Sequence, residues 1–231
     1  MTTLPAIDSL AGMKKLLYAG VIGPILFIVV FLVEGATRPG YSAWRHYVSQ
    51  LATGDGGWVQ VVNFLVCGVL VLLFAIGLRL SIRGTRGSIG GPVLLALFAI
   101  ALLVAGIFTT DPALGYPVGA AFIHTTHGML HGLAGLAAFT TLPAAAFVMA
   151  WHFSAEKRDR RWVVYSLTVG VLMIGLFIAF TTVSTMDAVG TWPNAPTGFL
   201  QRIAIIAGWT WIAMVAWRYV RRASRRRASS L

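Results

Sequence analysis

The sequence predicts an all-α polytopic membrane protein, a bundle of six transmembrane helices with one short helix at its outer interface. Of the 231 residues, 58% are hydrophobic and only 11% are charged, whereas roughly a quarter of the residues in soluble domains are charged. Six apolar runs each have the roughly 20 residues that cross a bilayer as helix. The runs lack the alternating polar positions of barrel strands. Their predicted bounds are Leu16–Gly35, Trp58–Leu80, Pro92–Thr110, Gly119–Trp151, Trp162–Thr185 and Phe199–Val220.

The basic residues predict the orientation of these spans. If the N-terminus is cytoplasmic, only Arg38, Arg45 and Arg202 of the 18 basic residues lie on the outer side. A bias of this kind predicts a plasma-membrane protein with both termini in the cytoplasm. The predicted organisation is a short N-terminus over residues 1–13, a membrane domain over 14–220 and a basic tail over 221–231.

The charge also indicates which partners to expect. The net charge is +11 and the pI is about 10.9, a balance that suggests nucleic acid in a soluble protein. Here the RRASRRR run directly follows the last span, where arginine is attracted to anionic lipid. We therefore expect membrane lipids, and no nucleic acid, as partners. The oligomeric state stays open.

The segment after the first span predicts the short outer helix. It reads RPGYSAWRHYVSQLA, and Ser42 is a suitable N-cap residue. Trp44, Tyr47 and Leu51 recur at helical spacing behind it. We expect a helix over Ser42–Leu51 that lies in the interface or covers the outer mouth of the bundle.

An acid and three histidines flank the loop between the third and fourth spans. Asp111 precedes Pro112, which ends the third span. His124, His127 and His131 follow at i, i+3 and i+7, which predicts one stripe on the fourth helix. Small glycines beside this stripe let another helix approach, so the histidines should face the bundle. Ionisable groups at a membrane boundary are functional candidates by default.

The candidate site residues all belong to the predicted outer half. Arg202 is the expected counter-charge of Glu34 or Asp187. The ligand-binding candidates are Glu34, Asp111, His124, Asp187 and Arg202. The catalytic candidates are Asp111, His127, His131, Ser49 and His46. Together they suggest an outer-face Asp/His pocket that binds lipid or acts on it.

One specific interpretation is a metal-dependent hydrolase embedded in the membrane. Imidazole and carboxylate groups suit zinc, the candidate cofactor, and a catalytic zinc needs three protein ligands and an open position. His124 and His131 lie about 10 Å apart along a straight helix, so one ion cannot bind all three histidines. The candidate ligands are therefore His127 and His131 with Asp111 or Asp187. Zinc-bound water would attack a lipid ester or amide, with Ser49 and His46 assisting.

Two other interpretations use the same residues. The histidines can hydrogen-bond across the bundle to Thr110, Asp111 and Ser184 and only hold helices together. Alternatively, histidine titrates near physiological pH, so the cluster can serve a proton-linked transporter or sensor. The sequence does not show a pair of broken helices at the midplane, which is the feature that would support a transporter. Whether the protein is an enzyme stays open.

Three motifs carry a resemblance to a known family. They are RPGYSAWRHYVSQLA after the first span, GIFTTDP at the end of the third, and the histidine-bearing start of the fourth. In this order they resemble the bacterial membrane proteins grouped as the domain-of-unknown-function 998 family, over nearly the whole chain. The resemblance implies a six-helix membrane protein and no settled activity. More distantly, the acid and histidines are similar to those of the seven-span hydrolases of the alkaline ceramidase and adiponectin-receptor kind.

Overall fold

A computed structural model describes residues 5–84, 86–121, 123–155 and 160–228. Within these ranges, six helices are long and apolar enough to cross a membrane. This confirms the predicted six-span, all-α architecture, and the protein is a multi-pass membrane protein. The elements are α1 (Pro5–Thr37), the 3-10 helix η1 (Val48–Ala52), α2 (Trp58–Ser81), α3 (Gly90–Ile107), α4 (Thr126–Ser154), α5 (Arg160–Ala188) and α6 (Thr197–Ala228).

The six helices form a closed ring. Each packs against its neighbour in the chain, and α6 packs against α1. We call the end that carries the α1–α2, α3–α4 and α5–α6 connections the long-loop face. We call the opposite end, where α1 begins and α6 ends, the basic face. The 3-10 helix η1 packs against α1, α2 and α6 at the long-loop face.

Aromatic side chains fill much of the ring's interior. Phe27 stacks on Trp209 with ring centroids 4.2 Å apart, and Phe98 meets Trp209 edge-on at 5.6 Å. Between 28% and 50% of the apolar window of each span is buried inside the protein. Many of the remaining apolar residues are exposed, such as Ile25, Val69 and Val171, as a hydrocarbon environment requires.

The fourth helix begins later than the sequence predicts. Residues from Gly119 onward are expected to be helical, but Gly119 has a φ of +79° and α4 starts at Thr126. Thr125 is the N-cap in an extended conformation, and its hydroxyl accepts a hydrogen bond from the Gly128 N–H. His124 therefore precedes the helix, and the predicted stripe of three histidines on one helix is wrong.

The outer helix is shorter and more deeply buried than predicted. Ser42 begins a hydrogen-bonded turn, but Tyr47 is extended, with φ −62° and ψ 148°. This conformation separates the turn from η1, so the continuous helix over Ser42–Leu51 does not form. Val48 and Leu51 are buried, and η1 therefore packs into the mouth of the ring.

The terminal helices extend beyond the predicted membrane domain. The first begins at Pro5 and the last continues to Ala228, so both predicted terminal segments are partly helical. Residues 1–4 and 229–231 of those segments lie outside the described residues, as do the basic residues Lys157 and Arg158 of the α4–α5 connection.

Candidate functional site

Glu34 and Arg38 join the two ends of the α1–α2 connection. The Arg38 guanidinium forms an ion pair with Glu34, one helical turn earlier. It also donates to the carbonyl oxygens of Asp55 at 2.7 Å and Gly56 at 3.0 Å, just before α2. The counter-charge of Glu34 is thus Arg38, and not Arg202 as the sequence suggested.

Asp187 is paired with Arg45 rather than with Arg202. The Arg45 Nε and a terminal nitrogen donate to the two carboxylate oxygens at 2.7 and 2.8 Å. This is the bidentate geometry that favours arginine–carboxylate pairs. The Asn194 N–H donates to the same carboxylate at 3.2 Å, and the Asp187 side chain is only 1% exposed. Asp187 therefore fastens the α1–α2 connection to the end of α5.

Arg202 is a buried cation whose guanidinium group donates hydrogen bonds to backbone carbonyl groups. It donates to the carbonyl oxygens of Ala43 at 2.8 Å, His46 at 3.0 Å and Gly198 at 2.9 Å. It also donates to the Tyr41 hydroxyl. Burial raises the pKa of Tyr41, which keeps the phenol protonated. The hydrogen-bonding groups of Arg202 thus hold the α1–α2 connection in place.

His46 uses both ring nitrogens to join two connections. Its Nδ1 accepts from the Ser42 N–H at 2.9 Å. In the neutral ring the proton must then be on Nε2, which lies 3.1 Å from the Leu114 carbonyl oxygen and donates to it. Burial lowers the pKa of His46, which favours this neutral form. With both nitrogens occupied, the geometry gives no support to a catalytic role for His46.

Asp111 caps the start of α4. Its carboxylate accepts from the Thr125 N–H at 2.9 Å and from the Thr125 hydroxyl at 2.6 Å. These hydrogen bonds hold the pKa of Asp111 below its ordinary value. A Cβ atom at Gly128 would collide with the carboxylate, so only glycine allows this approach. His124 and Asp111 line a depression of about 470 Å³ on the long-loop face.

His131 is the buried histidine of the predicted set, with 7% of its surface exposed. Its Nδ1 lies 3.1 Å from the Ala105 carbonyl oxygen and 2.8 Å from that of Phe108. Carbonyl oxygens only accept, so Nδ1 carries the proton and Nε2 presents a lone pair. His127, four residues earlier, is exposed and packs edge-on against Phe108 at 5.2 Å.

The four predicted metal ligands do not assemble. Among the residues that the structure describes, no three His, Cys, Asp or Glu side chains are placed to hold one ion. The physical reason is that each carboxylate has other partners: Asp111 binds Thr125 and Asp187 binds Arg45. His127 and His131 therefore gain no carboxylate ligand from Asp111 or Asp187.

A cavity of about 370 Å³ lies inside the ring, and every helix contributes to its wall. The polar lining residues lie towards the long-loop face and are Tyr47, Ser49, Thr110, His131, Thr181 and Gln201. Because a helix rises 1.5 Å per residue, Trp209 lies about 12 Å deeper than Gln201. The deeper wall consists of apolar side chains, chiefly Phe27, Phe98, Leu142, Met173 and Trp209.

Three of the cavity's polar side chains, Ser49, His131 and Gln201, have atoms that hydrogen-bond to no described residue. Gln201 is 7% exposed, and its Oε1 accepts from the Val48 N–H at 2.8 Å. Its Nε2 has no hydrogen bond within the described ranges, and neither does the His131 Nε2. Among the described lining residues, none is Lys, Arg, Asp or Glu. The cavity is thus apolar with a small, uncharged polar end.

Only part of this lining was predicted from the sequence. Ser49 and His131 were candidates, but Gln201 was not. The sequence signal for Gln201 was its amide inside an apolar span, because an amide in hydrocarbon needs a hydrogen-bond partner. The neighbouring Arg202 was predicted as the site residue instead, because of its charge.

The chain was also compared with known proteins. The model of a family described as "Protein of unknown function (DUF998)" matches residues 21–218. The chain belongs to the DUF998 family. The matched range of this DUF998 protein includes every described cavity-lining residue, from Phe27 to Trp209. Neither the curated proteins nor the solved structures gave a match.

Proposed function

We propose that this DUF998 protein binds an amphipathic lipid inside the ring of helices. The polar end of the lipid contacts His131 and Gln201, and its hydrocarbon chain occupies the aromatic part of the cavity. The observation that carries the proposal is that two buried side chains, His131 and Gln201, each have a nitrogen with no described partner at one end of an otherwise apolar cavity.

The size and lining of the cavity support a lipid. Ligand sites are clefts of about 300–1,000 Å³ with mostly apolar walls and a few polar groups that fix orientation, and this cavity measures about 370 Å³. A buried polar atom without a partner is destabilising. Water can satisfy the polar end, but the aromatic part offers it no hydrogen bonds. A molecule with one polar end and one apolar chain fits both parts.

Two glycines of α4 provide a lateral route into the cavity. Gly132 and Gly135 line it, and a Cβ atom added at either would meet no atom within 4 Å. Gly132 is also exposed. The lipid therefore enters through the side of the ring, directly from the surrounding hydrocarbon.

We also propose that the basic face is cytoplasmic and that the membrane is the plasma membrane. The described basic residues at that face support this orientation by the positive-inside rule. They are Lys14, Lys15, Arg79, Arg83, Arg86, Arg160, Arg161, Arg218, Arg221, Arg222 and Arg225. The cavity then opens to the outer leaflet. Green fluorescent protein fused after Leu231 should fluoresce, and alkaline phosphatase fused there should be inactive.

Filling the lateral route tests lipid binding. In Gly135→Phe the new ring extends into open space at the cavity, whereas in Gly175→Phe it extends from α5 at an exposed position that does not line the cavity. Mass spectrometry of protein washed extensively in detergent should find one retained lipid in the wild type and in Gly175→Phe. Gly135→Phe should retain several-fold less. Equal retention by the two variants, or no retained lipid in the wild type, would contradict the proposal.

A further inference from the structure

We infer that the bound lipid has an uncharged, hydroxyl-bearing head group that donates a hydrogen bond to His131 and accepts one from Gln201. The inference rests on the proposed lipid binding and adds the chemical class of the lipid. Three features of the site carry it: the tautomer of His131, the orientation of the Gln201 amide, and the distribution of charge around them.

The carbonyl partners of His131 fix what its other nitrogen can do. Ala105 and Phe108 both present oxygen acceptors to Nδ1, so Nδ1 is the donor and the neutral ring offers only a lone pair at Nε2. A ligand atom that meets Nε2 must therefore bring its own hydrogen. A hydroxyl does so, whereas an ester carbonyl, an ether or an ionised phosphate does not.

The backbone partner of Gln201 fixes the amide in the same way. The Val48 N–H can only donate, so the amide atom 2.8 Å from it is the oxygen. The nitrogen of the amide is then the atom left for the cavity, and it can only donate. His131 and Gln201 thus offer a ligand one acceptor and one donor, and the Ser49 hydroxyl in the same lining can serve as either. A hydroxyl head group suits this set, because it donates once and has two lone pairs.

An anionic head group finds no balancing cation among the described lining residues, none of which is Lys or Arg. Arg202, which follows the lining residue Gln201 in the chain, already has its own partners. Its guanidinium donates to the Ala43, His46 and Gly198 carbonyl oxygens and to the Tyr41 hydroxyl. A buried charge without a partner is strongly unfavourable. A neutral lipid, such as a long-chain alcohol or an acylglycerol, therefore binds better than a phospholipid or an ionised fatty acid.

Three single-chain probes test the head group on the unmodified protein. Hexadecanol can donate and accept, hexadecyl methyl ether can only accept, and hexadecyl phosphate is anionic at neutral pH. Binding is measured by native mass spectrometry and by displacement of the retained lipid. We expect hexadecanol to bind about tenfold more tightly than the ether, because the ether leaves His131 Nε2 unpaired. The phosphate should bind more weakly still.

A matched pair of variants assigns the preference to His131. In His131→Asn the amide nitrogen sits on Cγ, as Nδ1 does, and can keep a hydrogen bond to the Ala105 or Phe108 carbonyl. The outer nitrogen is lost, so the preference for alcohol over ether should fall to near one. His127→Asn changes an exposed histidine of the same helix that does not line the cavity. It should keep the wild-type preference.

The outcomes separate the inference from the proposed function. If the phosphate or the ether binds as tightly as hexadecanol, the inference is wrong and lipid binding still stands. The inference also fails alone if none of the probes binds to a protein that retains a lipid. If no probe binds and no lipid is retained, both fail. The wild-type probe series decides the head group even if His131→Asn does not fold.

Discussion

Replacing Asp187 with asparagine tests whether this residue is structural, as its contacts indicate. Breaking a fully buried ion pair costs about 3–5 kcal/mol, because one charge stays buried without its partner. Here the Asp187 side chain is 1% exposed and that of Arg45 is 28% exposed. Water can therefore solvate part of the orphaned guanidinium, and we expect a smaller loss of about 2–3 kcal/mol. For a chain of this size, that corresponds to a fall in Tm of roughly 5–10 °C.

The assay is thermal unfolding in detergent, run as a double-mutant cycle. The cycle compares the wild type with Asp187→Asn, Arg45→Met and the double variant, and its coupling free energy isolates the pair. Asp55→Asn is the matched control, because Asp55 is exposed on the same connection and surface changes usually stay within about 0.5 kcal/mol. A coupling free energy below about 0.5 kcal/mol would refute the argument for the ion pair.

The same variants separate the structural role of Asp187 from the ligand-binding role that the sequence suggested. Asp187 does not line the cavity. Asp187→Asn should therefore retain as much lipid as the wild type at temperatures well below its Tm. A loss of lipid without a loss of stability would instead place the carboxylate in the binding site.

Three further predictions follow from individual contacts. Burial lowers the pKa of His46 from 6.5, so the unfolded chain binds this proton more readily. Stability should be fully present above about pH 6.5 and fall below it, and His46→Gln should flatten that part of a Tm–pH curve. Gly128→Ala pushes a Cβ atom against the Asp111 carboxylate; hydrogen exchange at the start of α4 should become faster, and an unchanged rate would contradict the cap. Cys67 is fully buried, so maleimide should label it only upon unfolding; labelling of the folded protein would refute this packing.

The spans could be predicted because hydropathy is a property of contiguous residues. A run of about 20 apolar residues forms a helix in hydrocarbon whatever its neighbours do, since its backbone groups must bond within the segment. Helix ends are harder to predict, because they depend on contacts with residues that are distant in the sequence. The start of α4 at Thr126 depends on Asp111, which lies 14 residues before the Thr125 cap that it binds.

The polar partners could not be predicted, because ion pairs depend on packing. The sequence placed Asp187 and Arg202 at the same end of neighbouring spans, which made them appear complementary. In the structure, the Asp187 carboxylate is bound by Arg45, which lies 142 residues earlier in the chain. Arg202 is satisfied by carbonyl oxygens instead. These contacts give Asp187 and Arg202 structural roles. The predicted histidine partners Asp111 and Ser184 instead accept hydrogen bonds from Thr125 and Tyr47.

The sequence by itself determined the class of the protein, the number of its spans and the end of the bundle where its acids and histidines gather. It determined these because the length and hydropathy of a span, and the side of the membrane on which a connection lies, are properties of one segment at a time. Only the tertiary structure decided which polar atoms are used up in holding the α1–α2 connection and which are left for a ligand. The cavity has walls from six separate helices, and its His131 and Gln201 nitrogens are available only because Phe108 and Val48 occupy the other side of each group.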